Sequence, residues 1–86
     1  MKLKPEFIIH QSNGEALLVP LSTASFHGIV RGNETLGAIL DLLKTDRTEE
    51  ELVDAMAETY DAPRETIEAD VRRVLTKLKD IGAIDA

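Results

Sequence analysis

The sequence contains no cysteine and no tryptophan, and only three of its 86 residues are aromatic. The absence of cysteine excludes disulfides, thiol nucleophiles and thiolate metal sites. The length predicts a single domain over residues 1–86. With so few aromatic rings, leucine, isoleucine and valine must fill its core.

Long apolar runs are also missing. No stretch approaches the roughly 20 apolar residues that a membrane-spanning helix needs. The opening, MKLKPEF, lacks the apolar region of a signal peptide. We therefore expect a cytoplasmic protein that makes no membrane contact.

Catalytic motifs are scarce. The two histidines, His10 and His27, both fall on predicted strands. The sequence has neither a GxSxG nucleophile motif nor a GxxxxGK[ST] phosphate loop. These features predict no catalytic residues, no metal site and no cofactor, and they disfavour a small enzyme.

Basic residues are too few to balance the acidic ones, and the net charge is −6. Residues 33–61 carry nine acidic side chains against two basic ones, whereas residues 1–32 are slightly basic and residues 62–86 are balanced. A protein that binds nucleic-acid phosphates normally shows a basic face. The acidic run is most simply a solvated surface.

The first half of the chain has strand signals. Segment 7–11 is rich in β-branched and aromatic residues, which is typical of a strand. Asn13-Gly14 is typical of a type I′ hairpin turn, so residues 16–19 are predicted to form the returning strand, which ends at Pro20. A third strand is predicted over residues 26–31, after which Gly32 breaks the pattern.

The second half has helix signals. Asn33 is a suitable N-cap for a helix over 34–44, and Thr48 with Glu51 forms a capping box for a second helix. A third helix is predicted over 64–81, with Gly82 after its end. Its apolar positions form one stripe about 120° wide. They are Ile67, Val71, Val74, Leu75, Leu78 and Ile81.

The predicted order βββααα indicates an α+β fold in which a small three-stranded antiparallel sheet packs on three helices. The same order describes a winged helix-turn-helix, so a DNA-binding protein remains an alternative, as does a purely structural subunit. Three strands leave open sheet edges. We expect the strand at 26–31 to offer its edge to an extended peptide, with Ile29 and Leu75 as apolar anchors. Arg31, Arg72 and Lys79 could pair with an acidic peptide.

An ordered set of short motifs resembles the PqqD family, the peptide chaperones of pyrroloquinoline-quinone (PQQ) biosynthesis that are also called RiPP recognition elements. The set comprises LKPEF at 3–7, FHGIVRGNET at 26–35, Leu42-Leu43, TEEEL at 48–52, Tyr60-Asp61, Asp70-Val71, Leu75, Leu78 and Ile81-Gly82. The resemblance covers nearly the whole chain. It departs from the family at Pro63, where members usually have a polar capping residue.

The resemblance implies a winged-helix-like βββααα fold without catalysis. It implies binding of the leader segment of a ribosomally made precursor peptide, and presentation of that peptide to a modifying enzyme, often a radical SAM protein. The charge distribution predicts no nucleic-acid partner. Because an open strand edge could pair or swap with a second copy, we expect a monomer or a weak or domain-swapped homodimer. Carried onto this sequence, the leader would lie between the third strand and the third helix. The corresponding residues are Phe26, His27, Gly28, Ile29, Val30, Arg31, Ile67, Asp70, Val71, Val74 and Leu75.

Overall fold

In a computed structural model that describes residues 1–24 and 28–85, three strands precede three helices. The strands form one antiparallel sheet in the order β1-β2-β3. This architecture confirms the predicted βββααα α+β fold. The elements are β1 (Phe7–Ser12), β2 (Glu15–Pro20), β3 (Val30–Asn33), α1 (Glu34–Leu42), α2 (Glu49–Thr59) and α3 (Arg64–Asp80).

The hairpin between β1 and β2 turns at Asn13 and Gly14, as predicted. Their φ angles are 51° and 76°, and a type I′ turn requires positive φ at both positions. Ser12 therefore pairs with Glu15, and the register continues to Phe7 opposite Pro20.

The third strand begins and ends later than its predicted range of 26–31. Phe26 and His27 lie outside the described residues, Gly28 and Ile29 precede the strand, and Gly32, predicted to break it, pairs with Ala16. Because Val30 pairs with Leu18, Gly28 would have to pair with Pro20, which has no amide hydrogen to donate. Pairing therefore starts only at Val30.

Gly32 allows strand β3 and helix α1 to approach closely. A Cβ atom at this position would lie 2.5 Å from Cδ2 and 2.8 Å from Cβ of Leu36. Leu36 is buried in the first turn of α1, so it has little room to retreat. Glycine therefore lets the strand continue to Asn33, whose side chain accepts from the backbone amides of Thr35 and Leu36 as the predicted N-cap.

The helix ends follow local hydrogen bonding. The capping box of Thr48 and Glu51 is confirmed, and Gly82, after α3, has the expected positive φ of 73°. Helix α1 ends at Leu42 rather than at residue 44, because the amides of Lys44 and Thr45 bond three residues back, to the carbonyls of Asp41 and Leu42. No helix within the described ranges has both the length and the apolar character of a membrane span.

Helix α1 lies between the sheet and the other two helices. It contacts all three strands on one side and both α2 and α3 on the other, and α2 packs along α3. The largest fully buried side chains come from β2 and all three helices, which places the core around α1. They are Leu18, Ile39, Leu40, Leu43, Leu52, Val71, Leu75 and Leu78.

Candidate functional site

Strand β3 is an edge strand, and no described segment pairs with its outer side. The two-residue hairpin makes Ser12 and Glu15 a hydrogen-bonded pair, and the bond from the Leu21 amide to the Glu6 carbonyl (2.7 Å) continues the alternation. Alternate residues of β2, Ala16 and Leu18, therefore bond toward β3. They pair with Gly32 and Val30, so the backbone N–H and C=O of Arg31 point to the open side.

A cleft separates this edge from α3. No Cα atom of β3 lies within 8 Å of one in α3, although the structure describes both elements completely. The space between them has a volume of about 300 Å³. Neighbouring strands in a sheet lie about 4.8 Å apart, so the space beside β3 lies where an additional extended strand would pair.

The cleft has an apolar floor and a basic rim. The floor comes from Val30, Leu36, Val74 and Leu78. Val30 and Val74 are half-buried, which leaves part of each side chain open to a ligand. The rim carries cations from both walls, Arg31 on the strand and Arg73 and Lys77 on the helix.

Two of these cations already have acidic neighbours. The Arg31 Nε lies 3.7 Å from a Glu15 carboxylate oxygen, and an Arg73 guanidinium nitrogen lies 2.7 Å from Asp70 Oδ1. Lys77 makes no ion pair with any residue in 1–24 or 28–85. The side chains of Arg31 and Arg73 are mostly exposed, so each pair contributes only about 0–1 kcal/mol and can be exchanged for a ligand group.

A second pocket of about 260 Å³ lies beyond the end of β3, at the start of α1. Met56, Ile67 and Val71 form its apolar part. Asp61 and Asp70 give its opening an acidic character, in contrast to the basic cleft. The two sites meet at the Asp70–Arg73 ion pair on α3.

The sequence model of one family, described as coenzyme PQQ synthesis protein D (PqqD), matches residues 15–84. The chain belongs to the PqqD family. The match covers all three helices, strands β2 and β3 and the whole of the cleft. No curated protein matches the chain.

Two solved structures resemble this PqqD-family chain. TbiB1, solved in complex with the TbiA(beta) leader peptide, is 26% identical with a TM-score of 0.80, covering 100% of this chain and 96% of the other. Lasso peptide synthetase B1, complexed with a leader peptide, is 20% identical with a TM-score of 0.70 over 92% and 89%. At that lower identity the second likeness concerns the fold alone.

The sequence-predicted site residues are spread over several places in the structure. Val30, Arg31 and Val74 line the cleft, and Ile67, Asp70 and Val71 line the second pocket. Gly28 is half-buried and Ile29 is 63% exposed, just before β3. Phe26 and His27 lie outside the described residues, so their part in a site stays a prediction.

Leu75, expected as the anchor on the helix, is only 1% exposed and belongs to the core. Its neighbour Val74 is the residue that borders the cleft. The expected cations are also displaced, because Arg72 lies on another flank of α3, 3.7 Å from Glu49 of α2. Lys79 is likewise absent from the cleft lining.

Six residues that line the cleft were not predicted from the sequence as site residues. They are Gly32, Asn33, Leu36, Arg73, Lys77 and Leu78. A usable signal was present on α3, because Arg73 and Lys77 are four residues apart, as are Val74 and Leu78, and such positions share a helix face. The sequence did not show which margin of the apolar stripe faces the sheet.

Proposed function

We propose that this PqqD-family chain is a non-catalytic adaptor for a ribosomally made precursor peptide. The leader segment adds to β3 as a fourth strand and lies against α3. The open backbone edge of β3 opposite a helical wall carries this proposal. It is supported by TbiB1, which shares the fold over the whole chain and was solved in complex with a leader peptide.

Strand addition provides main-chain affinity with little dependence on sequence, and pockets for alternate side chains provide selectivity. Each backbone hydrogen bond contributes a net ~0.5–1.5 kcal/mol, and ordering the peptide offsets much of this. An apolar side chain of the leader must then supply further affinity. Val74 and Val30 are the half-buried surfaces that such an anchor would contact.

An NMR titration tests the adaptor role. Isotope-labelled protein is mixed with the leader and core halves of a precursor peptide from the same organism, as two separate synthetic peptides. The leader half should shift the amide signals of Val30–Asn33 and of residues 73–78, and the core half should leave them in place. A leader that binds only through the exposed face of α2, or not at all, would contradict strand addition at β3.

The modifying enzyme is proposed to be a radical SAM protein, on the family resemblance. The test is a reconstitution in which the enzyme, the precursor and this chain are combined and the modified product is measured by mass spectrometry. Product formation should require this chain and should fall when the leader half is added in excess as a competitor. Equal yield without the chain would contradict the presenting role.

The winged-helix alternative is not favoured by the charges on α3. Arg64 donates to Asp54 at 2.6 Å, a hydrogen bond that raises the pKa of Arg64, and Arg72 and Arg73 also have acidic neighbours. Their charge is therefore partly neutralised before any phosphate approaches. A gel-shift assay at low salt should show no duplex DNA binding, and a salt-sensitive shift would support the alternative.

A further inference from the structure

The cleft between β3 and α3 has the opposite charge to the chain as a whole. The protein carries a net charge of −6, yet Arg31, Arg73 and Lys77 line this cleft. No aspartate or glutamate of the described residues belongs to its lining. The acidic groups are concentrated elsewhere, notably on α2, which begins with Glu49-Glu50-Glu51. The local field in the cleft therefore attracts anionic groups.

The direction of ligand side chains follows from the pleat of the sheet. A peptide residue hydrogen-bonded to Arg31 points its side chain to the same face as Arg31, because directly opposite residues share a face. The preceding and following peptide residues point to the other face, which β3 occupies with Val30 and Gly32. Those inward side chains meet the apolar floor, with Arg73 and Lys77 at its rim.

We propose that the cleft selects leader peptides that carry acidic side chains next to an inward apolar anchor. One carboxylate faces Arg31 from the directly opposite position, next to the anchor in sequence. Another lies on the inward face, two residues from the anchor, and faces Arg73 and Lys77. This inference rests on the proposed strand addition at β3 and specifies the chemical class of peptide that the site takes.

The ion pairs within the protein leave part of the positive charge of the cleft cations available to a ligand. Lys77 has no acidic partner among residues 1–24 and 28–85, and Glu15 lies as far as 3.7 Å from Arg31. Asp70 neutralises part of Arg73, but Arg73 is 74% exposed and can turn toward a ligand. Charges at such a rim act on association rate and specificity, and salt screens them.

A display experiment with random peptides tests the proposal without a known precursor. The library is selected on the wild-type protein and on Arg31→Pro, which removes the outward N–H donor. Selection on a double variant, Arg73→Glu with Lys77→Glu, reverses the charge of the helical rim. Arg72→Glu with Lys79→Glu is the matched control, because it makes the same change in net charge outside the cleft.

The wild-type protein should enrich peptides in which aspartate or glutamate adjoins an apolar residue. The cleft double variant should bind these peptides roughly tenfold more weakly and lose or invert the acidic preference, whereas the control double variant should retain it. Adding salt should reduce the difference in peptide affinity between the cleft double variant and the control double variant, because salt screens the charges.

The outcomes separate the two proposals. Enriched peptides that lack acidic residues, yet lose binding in Arg31→Pro, would overturn the acidic preference and leave strand addition standing. Peptides that bind Arg31→Pro as well as they bind the wild type would contradict strand addition itself. Equal weakening in both double variants would show that overall charge, not the cleft, selects the peptide, and would also overturn this inference.

Discussion

The sheet has two outer edges, one on β1 and one on β3, and they differ in what lies opposite them. The alternation that turns Arg31 outward on β3 turns Gln11 outward on β1. Beside β1 lies a groove of about 380 Å³ bounded by the chain's own N-terminal segment, with Leu3 and Pro5 in its lining. Beside β3 stands α3, across a cleft that none of the described chain fills.

The two edges are alike in their backbones and differ in their surroundings. Both edges present unpaired backbone groups, which is a general hazard of edge strands. The segment beside β1 is held by its own hydrogen bonds, from Leu3 to the Leu43 carbonyl and from Lys4 to the Ala83 carbonyl. The edge of β3 instead faces a rigid helix that offers both apolar and charged side chains.

The helical wall opposite β3 depends on the packing of α3 in the core. The largest effect on stability is therefore expected from a core residue of α3. Leu75→Ala should lower the free energy of unfolding by about 2–5 kcal/mol, because Leu75 is 1% exposed in the core. Val74→Ala, one position along, should cost less stability and weaken leader binding more. Urea unfolding and leader titration measure the two effects. If Leu75→Ala were as stable as Val74→Ala, the assignment of Leu75 to the core and Val74 to the cleft would be wrong.

The second largest effect on stability is expected where β3 and α1 approach each other closely. Gly32→Ala should destabilise the fold by roughly 1–3 kcal/mol, since the new Cβ would lie 2.8 Å from Cβ of Leu36. Gly37→Ala is the matched control within α1. There the nearest atom, 2.6 Å away, is the flexible end of Gln11, and Cβ of Ala16 lies farther off at 3.3 Å. Alanine also favours the helix by about 1 kcal/mol, so this variant should lose less stability than Gly32→Ala. In thermal unfolding, Gly32→Ala should have a lower midpoint temperature than Gly37→Ala.

Arg31→Pro tests whether the backbone edge of β3 binds the leader. Proline removes the outward N–H but none of the bonds to β2, and edge strands tolerate it. Leaving a peptide carbonyl without its donor costs about 1–3 kcal/mol, so the dissociation constant of the leader should rise roughly 5- to 150-fold. Arg31→Ala controls for the lost guanidinium and should have a smaller effect. Equal effects of the two substitutions would indicate that the side chain, not the backbone edge, binds the leader.

The smallest effect is expected at the other edge. Gln11→Pro removes the corresponding outward N–H of β1, and it also loses the bond from Gln11 Nε2 to Asp41 (3.1 Å). Gln11→Ala controls for that side-chain bond. Both variants should bind the leader within about twofold of the wild type, since Gln11 lies on the other edge strand and does not line the cleft beside β3. A loss matching that of Arg31→Pro would place the peptide on β1 instead.

Local signals in the sequence predicted much of the fold. Asn13-Gly14 determined the hairpin, because few residues accept positive φ at both positions. Asn33 and Thr48 determined where two helices begin, because their side chains accept backbone amides that are otherwise unpaired. These interactions join residues close in the chain, so they can be recognised without knowing the tertiary structure.

The start of β3 could not be predicted from its own residues. It depends on Pro20, which removes the donor that Gly28 would need and lies in a different strand. The identity of the apolar anchor was likewise undetermined, because Val74 and Leu75 both belong to one helical stripe. Only the packing of α3 on α1 and α2 buries one of them and leaves the other beside the cleft.

The sequence by itself determined the order of the elements, the caps of helices α1 and α2, and the hairpin turn. Each of these follows from backbone geometry and from hydrogen bonds between near neighbours. The tertiary structure alone decided which flank of α3 faces the edge of β3, and so brought Arg73 and Lys77 into the cleft while turning Arg72 toward α2. Helix rotation is fixed by contacts between residues far apart in the chain, which a single helical pattern does not record.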